Sequence, residues 1–166
     1  MPSDELGSRH YERLLHLRRL DSIGTLPPAE LALVAEYAQE RFFPGGSVLM
    51  RAGEPVPAIY FLISGQVRVT RRGSSLGVAR QGAGIGGLAL LARDPEGIEA
   101  VAEGDVLTLE IRADAVQELF EDRFPILHHV LRDVSRRLAQ AIRTHGPALF
   151  PEPWQVPLRV PTRMLT

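Results

Sequence analysis

The amino-acid sequence predicts a mainly β domain of the α+β class: a jelly roll, or β-roll, led in by N-terminal helices and closed by two C-terminal helices. Three observations predict it. From Phe43 to Glu110, short β-like runs alternate with glycine turns: SVLMRAGE, AIYFLISGQVRVTRRG, SLGVARQG, IEAVAEG and DVLTLEI. Many short strands at this spacing are the pattern of a β-sandwich or roll. On both sides of this stretch the apolar residues recur at helical intervals instead. No internal repeat interrupts the order.

The elements follow in turn. Residues 9–20, RHYERLLHLRRL, set Tyr11, Leu14, Leu15, Leu17 and Leu20 at helical spacing. The stretch IGTLPPAELALVAEYAQERFF carries a second helix. Pro28 fits its first turn, Glu30 favours its positive end, and Leu31, Leu33, Val34 and Tyr37 supply its inward face. Ser64-Gly65, between IYFLI and VRVT, reads as a hairpin turn, with alternation in Val67 and Val69. LALLA at 88–92 is too short for a full helix and reads as an insert of one or two turns. RADAVQELFEDR reads as one helix, and Pro125 opens a longer one, PILHHVLRDVSRRLAQAIRTHG, with Gly146 as its stop.

Within that last helix Leu127, Leu131, Val134, Leu138 and Ala141 step by four, three, four and three. This is a heptad seam. It is narrow, and Arg and Asp occupy the other faces, which points to pairing between two chains rather than burial on the helix's own domain. The tail GPALFPEPWQVPLRVPTRMLT holds five prolines and reads as irregular or extended. Its Phe150 and Trp154 equip part of it to dock on a surface. The organisation is thus a helical lead-in at 1–21, a domain with its closing helices at 22–145, and a proline-rich tail at 146–166.

Composition excludes several classes. The chain has 166 residues, 45% hydrophobic and 23% charged, enough for one well-cored globular domain. No apolar run approaches the roughly 20 residues of a membrane span, and MPSDELGSRH is no signal peptide; the expectation is a cytoplasmic protein that does not enter membranes. With no Cys, disulfides, thiolate metal sites and thiol catalysis are out. All 19 basic residues are Arg and the net charge is −1, against a generally basic nucleic-acid surface. Charge is uneven along the chain. Asp94, Glu96, Glu99, Glu103, Asp105, Glu110, Asp114, Glu118, Glu121 and Asp122 face a single Arg112, whereas Arg132, Arg136, Arg137 and Arg143 follow. A solvated acidic face is the plain account, and a field that repels an anionic ligand is the sharper one.

Catalytic and metal chemistry find no footing. Ser22, Ser64, Ser74, Ser75 and the five His offer no nucleophile pattern: the string Gly73-Ser74-Ser75-Leu76-Gly77 falls within the short β-like runs, where no helix follows to make a nucleophile elbow. His128 and His129 are adjacent on a helix and point about 100° apart, so they cannot share one metal well. No catalytic residue, no metal site and no enzyme activity is expected. The segment that does carry a chemical signal is GAGIGGLALLARDPEGIEAV, 82–101. A glycine-rich turn opening a short helix lets backbone N–H groups cradle a phosphate. Yet Arg93 is its one basic residue, and acids follow it.

The order of helices, β-roll with a small inserted helix, and two more helices resembles the cyclic-nucleotide-binding domain of the catabolite-activator and kinase-regulatory-subunit superfamily. The stretch FFPGGSVLMRAGEPVPAIYFLISGQVRV, 42–69, is similar to that family's first half. Gly46 resembles its first strand-turn glycine, Gly53-Glu54 its second turn, and Tyr60-Phe61-Leu62 with Ser64-Gly65 its hairpin. LRRLDSIGTLPPAELALVAE is similar to the helical lead-in, and the resemblance spans roughly residues 15–145.

The resemblance implies that GIGGLALLARDPEGIEAV is the phosphate-binding cassette. In a competent cassette Gly-Glu opens the short helix and the Glu takes a hydrogen bond from the ribose 2′-hydroxyl. An Arg after a proline then pairs with the cyclic phosphate. Here Gly86 matches the glycine, Leu88, Ala89 and Leu90 the helix, and Pro95 the proline. Gly87 stands where the Glu belongs and Glu96 where the Arg belongs, with Gly97 and Ile98 beside them. The backbone cradle is kept and the charge pair is lost. An Arg–phosphate pair is worth about 1.5–3 kcal/mol, and an opposed carboxylate adds repulsion.

The resemblance therefore implies a non-enzymatic regulatory or scaffolding domain that takes no cyclic nucleotide in the usual way and needs no cofactor. It would act as a homodimer and through a protein partner, reached by the tail or the acidic face. The rival is a nucleotide sensor with an atypical pocket, using backbone groups and Arg93; Arg93 or Arg80 could also hold Glu96 in an internal ion pair. A third reading, a transcription regulator of the catabolite-activator type, lacks a DNA reader in this sequence, since only the tail follows the long helix; no DNA binding by this chain alone is expected.

Overall fold

A computed structural model describes residues 2–93 and 97–145. The tail, with Phe150, Trp154 and the helix stop at Gly146, lies outside the described residues, as do Asp94, Pro95 and Glu96. The chain divides after Val130 into two units. The first begins with helix α1 (Pro2–Arg18) and α2 (Pro28–Tyr37), followed by strands β1 (Gln39–Phe43), β2 (Val48–Met50), β3 (Ala58–Ser64), β4 (Val67–Arg71), β5 (Ser74–Ala79) and β6 (Gly84–Ile85). The short helix α3 (Gly87–Ala92), strands β7 (Glu99–Ala102) and β8 (Val106–Arg112), and helix α4 (Ala113–Asp122) complete it. Helix α5 (Phe124–His145) begins in the first unit and forms the described part of the second.

The strands form two antiparallel four-stranded sheets, ordered β1-β8-β3-β6 and β2-β7-β4-β5. This is the expected jelly roll with flanking helices. The alternation in β3 shows how it is held. Ala58, Tyr60 and Leu62 turn inward to a core with Leu49, Met50, Val67, Ile85, Ala100, Ala102 and Val106. Phe61 turns outward to a second core, with Ile59 and Ile63 packed against it. That second core unites Leu17, Leu20, Leu31, Val34, Val116, Leu119 and Ile126 with Leu109 and Ile111 of β8. A strand covered on both faces must be apolar throughout, which is why AIYFLI reads as an unbroken run. Thr108 is the buried polar residue among the core positions, and its hydroxyl donates to Arg41 O at 3.3 Å.

Two expectations need correction. The QERFF stretch does not extend the second helix: Ala38 is already extended, with φ −80° and ψ 133°, and Gln39–Phe43 pair with β8 from Gln39↔Glu110 to Phe43↔Val106. Periodicity missed it because β1 is an exposed edge strand, with no buried residue to set an alternation. Ser64-Gly65 is not a hairpin either. Strands β3 and β4 belong to different sheets, and this turn carries the chain between them. Gly65 has φ +87°, and a β-carbon there would collide with Asp105 O, so the corner passes too close to the start of β8 for any side chain. The hairpin lies one strand later, where Arg72-Gly73 joins the paired β4 and β5.

The lead-in helix is part of the same core. Leu17 and Leu20 are buried, and Arg18 Nη1 donates to Gly24 O at 3.1 Å and Leu26 O at 3.0 Å. One guanidinium thereby satisfies two loop carbonyls between α1 and α2.

Candidate ligand cassette

The cassette is built by glycines in left-handed backbone. Strand β6 ends at Ile85, whose side chain enters the inter-sheet core. Gly86 then turns with φ 90° and ψ −24° as the N-cap of α3. A β-carbon at Gly86 would stand 2.7 Å from Ala58 O and 3.1 Å from Met50 Cε. Only glycine satisfies both the dihedral and the space. Gly87 differs: it is the first helical residue, and its β-carbon would meet only Ile59 Cδ1, at 3.7 Å. A side chain is sterically admissible there, so glycine at 87 is not forced by packing against the roll.

Helix α3 is shallowly seated. None of its residues is fully buried. Leu90 packs on the outer core, Ala89 is half-buried, and Leu88 and Leu91 are exposed. Its first turn contains no acid and its last turn no base. Arg93 closes it in left-handed conformation, φ 48°, its backbone N–H pointing at the carbonyls of Ala89 and Leu90. The Arg93 side chain is exposed and has no partner among the described residues. Beyond the undescribed Asp94–Glu96, Gly97 is buried with φ 58°, 3.8 Å from Gly53 N by its absent β-carbon. Ile98 packs on the inter-sheet core.

The structure thus brings Gly86, Gly87, Leu88, Ala89 and Arg93 together on one turn-and-helix, with Gly97 and Ile98 at its exit. Glu96 falls outside the described residues. Sequence reasoning missed the floor: Met50, Ala58, Ile59 and Gly53 come from β2, β3 and the turn between them. No spacing rule links these residues to the cassette, since only the fold makes them neighbours. Among the described residues no group of three or more His, Asp or Glu is placed to hold a metal, and no helix is long and apolar enough to cross a membrane.

The heptad residues lie on α5. Leu127 is half-buried within the first unit. In the second unit Leu131 and Leu138, one heptad apart, are exposed, while Val134 and Ala141 are half-buried. Arg136 and Arg137 both pair with Asp133, at 3.2 and 2.7 Å, leaving their guanidinia on the solvated side.

Two antiparallel sheets flanked by helices, with a left-handed glycine opening a short helix after β6, define a jelly-roll domain with a helical insert. The sequence comparisons give the family. The model for the cyclic nucleotide-binding domain matches residues 40–123, and the chain belongs to that family. A "CRP-like cAMP-activated global transcriptional regulator" of Mycobacterium tuberculosis is 27% identical over 143 residues, 83% of this chain and 62% of the relative. The chain therefore spans less than two thirds of that relative's length. Two solved structures share the fold. The regulatory domain of Toxoplasma gondii protein kinase A with cAMP gives a TM-score of 0.71 at 17% identity, covering 82% of this chain and 52% of that one. The regulatory subunit of a cAMP-independent protein kinase A from Trypanosoma brucei gives 0.67 at 20%, covering 80% and 46%.

Proposed function

We propose that this chain is a non-enzymatic regulatory domain whose cassette has kept its backbone and lost its ligand chemistry, so that it acts through dimerisation and a protein partner rather than through ordinary cyclic-nucleotide binding. The observation that carries the reading is at Gly87. The position has room for a side chain, being 3.7 Å from Ile59 Cδ1, yet the first turn of α3 offers no carboxylate to a ribose. Glu96 in place of the phosphate-pairing Arg works in the same direction. The loss of a charge-assisted contact together with the gain of an anion amounts to several kcal/mol, enough to turn a micromolar site into one weaker than about millimolar.

Dimerisation is supported by the exposed Leu131 and Leu138 at heptad spacing on α5. A partner surface is supported by the acidic stretch from Glu99 to Asp122, parts of which are engaged locally by Arg41, Arg68 and Arg112. That this fold occurs in the regulatory subunit of a kinase described as cAMP-independent is compatible with a member of the family that works without the nucleotide. The rival, an atypical nucleotide sensor, draws on the unpartnered guanidinium of Arg93.

The test is restoration. The double change Gly87→Glu with Glu96→Arg should confer measurable cyclic-nucleotide affinity on a folded protein. A stable double variant that still binds nothing would show that something other than the missing charge pair closes the pocket.

A further inference from the structure

A second cavity lies away from the cassette, on the helix-covered face of the β1-β8-β3-β6 sheet. It encloses about 210 Å³ and is walled by Leu20, Phe61, Ile63 and Leu109, with Arg19, His16 and Gln81 among its lining residues. The floor is apolar: Phe61 and Leu109 are buried core residues. The rim is polar and cationic. The side chains of Arg19 and His16 have no partner among the described residues, so the Arg19 guanidinium makes no charge-assisted bond to any of them. Ser22 Oγ, buried and without a hydrogen-bond partner among the described residues, is near the Phe61 ring but is not one of the lining residues: it and the ring both lie within 4 Å of the place where a β-carbon on Gly84 would stand.

From this we infer that the cavity is a ligand site apart from the cassette, one that takes a small organic anion with an apolar body, the carboxylate meeting Arg19 and the body resting on Ile63 and the accessible edge of Phe61. The size fits the assignment, since drug-sized ligands fill about 300–1,000 Å³ and this space suits something smaller. The position makes the site regulatory. Gly82, on the cavity wall, bonds from its N–H to Leu62 O at 2.9 Å, and Leu62 N–H returns to Ala83 O at 2.9 Å. The same backbone runs directly through Gly84 and Ile85 to Gly86. An occupant therefore touches the chain at Gln81 and Gly82, two residues ahead of the strand that launches the cassette helix. The inference stands apart from the loss of the charge pair and holds whether or not the cassette binds a nucleotide.

Phenylacetate is the probe, with phenylethanol as its uncharged counterpart, in amide-resolved NMR titrations of the whole chain. Phenylacetate should give saturable shifts at Leu20, Phe61, Gln81 and Gly82, with smaller ones reaching Gly86. Arg19 is exposed, so Arg19→Gln leaves the fold intact and should weaken binding about tenfold or more, as the loss of one charge-assisted bond requires. Phenylethanol should bind correspondingly more weakly than phenylacetate. No saturable shift at these amides, shifts confined to α3, or equal binding of the two probes would each overturn the assignment.

Discussion

Met50 is packed against Gly86: a β-carbon added at Gly86 would stand 3.1 Å from Met50 Cε and 3.3 Å from Met50 Sδ. The contact ties β2, in one sheet, to the turn that launches α3 from the other. The thioether fills the space under the cassette's N-cap, and the backbone at residue 86 is held by the core rather than by a ligand.

Two neighbouring glycines should therefore respond with opposite signs. Gly86→Ala forces a β-carbon onto Ala58 O and Met50 at φ 90°, and should cost about 1–3 kcal/mol. Gly87→Ala occupies open space at the first helical position, and should be neutral or stabilise by up to about 1 kcal/mol through the unfolded chain's entropy. Urea denaturation of the two variants reads the difference; equal destabilisation would contradict the geometry.

The sheet-switching corner makes a comparable prediction. Gly65→Ala pushes a β-carbon into Asp105 O and within 2.9 Å of Val106 Cα, both backbone-borne and unable to swing aside. The loss should exceed that of Gly73→Ala at the solvent-exposed β4–β5 hairpin, where φ is also positive but nothing lies within 4 Å. Matching losses at the two sites would mean that residue 65 sits in an ordinary hairpin.

Alkaline titration should show Tyr60 held up by burial, beside Tyr37, whose hydroxyl is held up by its hydrogen bond to Glu118. Burial holds the Tyr60 hydroxyl above the ordinary 10.0, with Glu110 reinforcing and Arg41 opposing. The folded protein therefore keeps this proton longer than the unfolded chain does. The associated stability is complete below about pH 10 and is lost as pH rises through the folded-state value. Tyr60→Phe should remove its share of the alkaline loss, leaving that of Tyr37, while keeping the edge-on packing with Phe43, whose ring centroid is 5.6 Å away. An unchanged alkaline denaturation profile in Tyr60→Phe would assign the loss to another group.

The α5 seam predicts a parallel two-fold dimer. Light scattering at tens of micromolar should give twice the chain mass, and polar replacement of Leu131 and Leu138 should dissociate it with little effect on the roll. A monomer under those conditions removes dimerisation from the account.

Much of this architecture was legible in the sequence because period and turn chemistry agree with the fold. The α2 face of Leu31 and Val34, the insert at α3, and the helices α4 and α5 all follow from apolar spacing. What failed did so for physical reasons. Gln39–Phe43 is an edge strand whose partners lie 63 to 71 residues away in β8, and its exposed side chains carry no period-2 signal. Ser64-Gly65 has hairpin composition, yet the decisive fact is the proximity of Asp105, which sequence cannot reveal. The turn at Gly86 into a short helix was legible in the glycine run, whereas its packing on Met50 and Ala58 was not, since tertiary contacts leave no local mark.

Calorimetric titration of the unaltered chain with cyclic AMP and cyclic GMP tests the central claim most directly. With no acid on the first turn of α3 and Glu96 in place of the phosphate's arginine, the account predicts no heat of binding, or an affinity weaker than about millimolar. Micromolar binding of either nucleotide would contradict it, and would transfer the phosphate to Arg93 or to the backbone amides beyond Gly86.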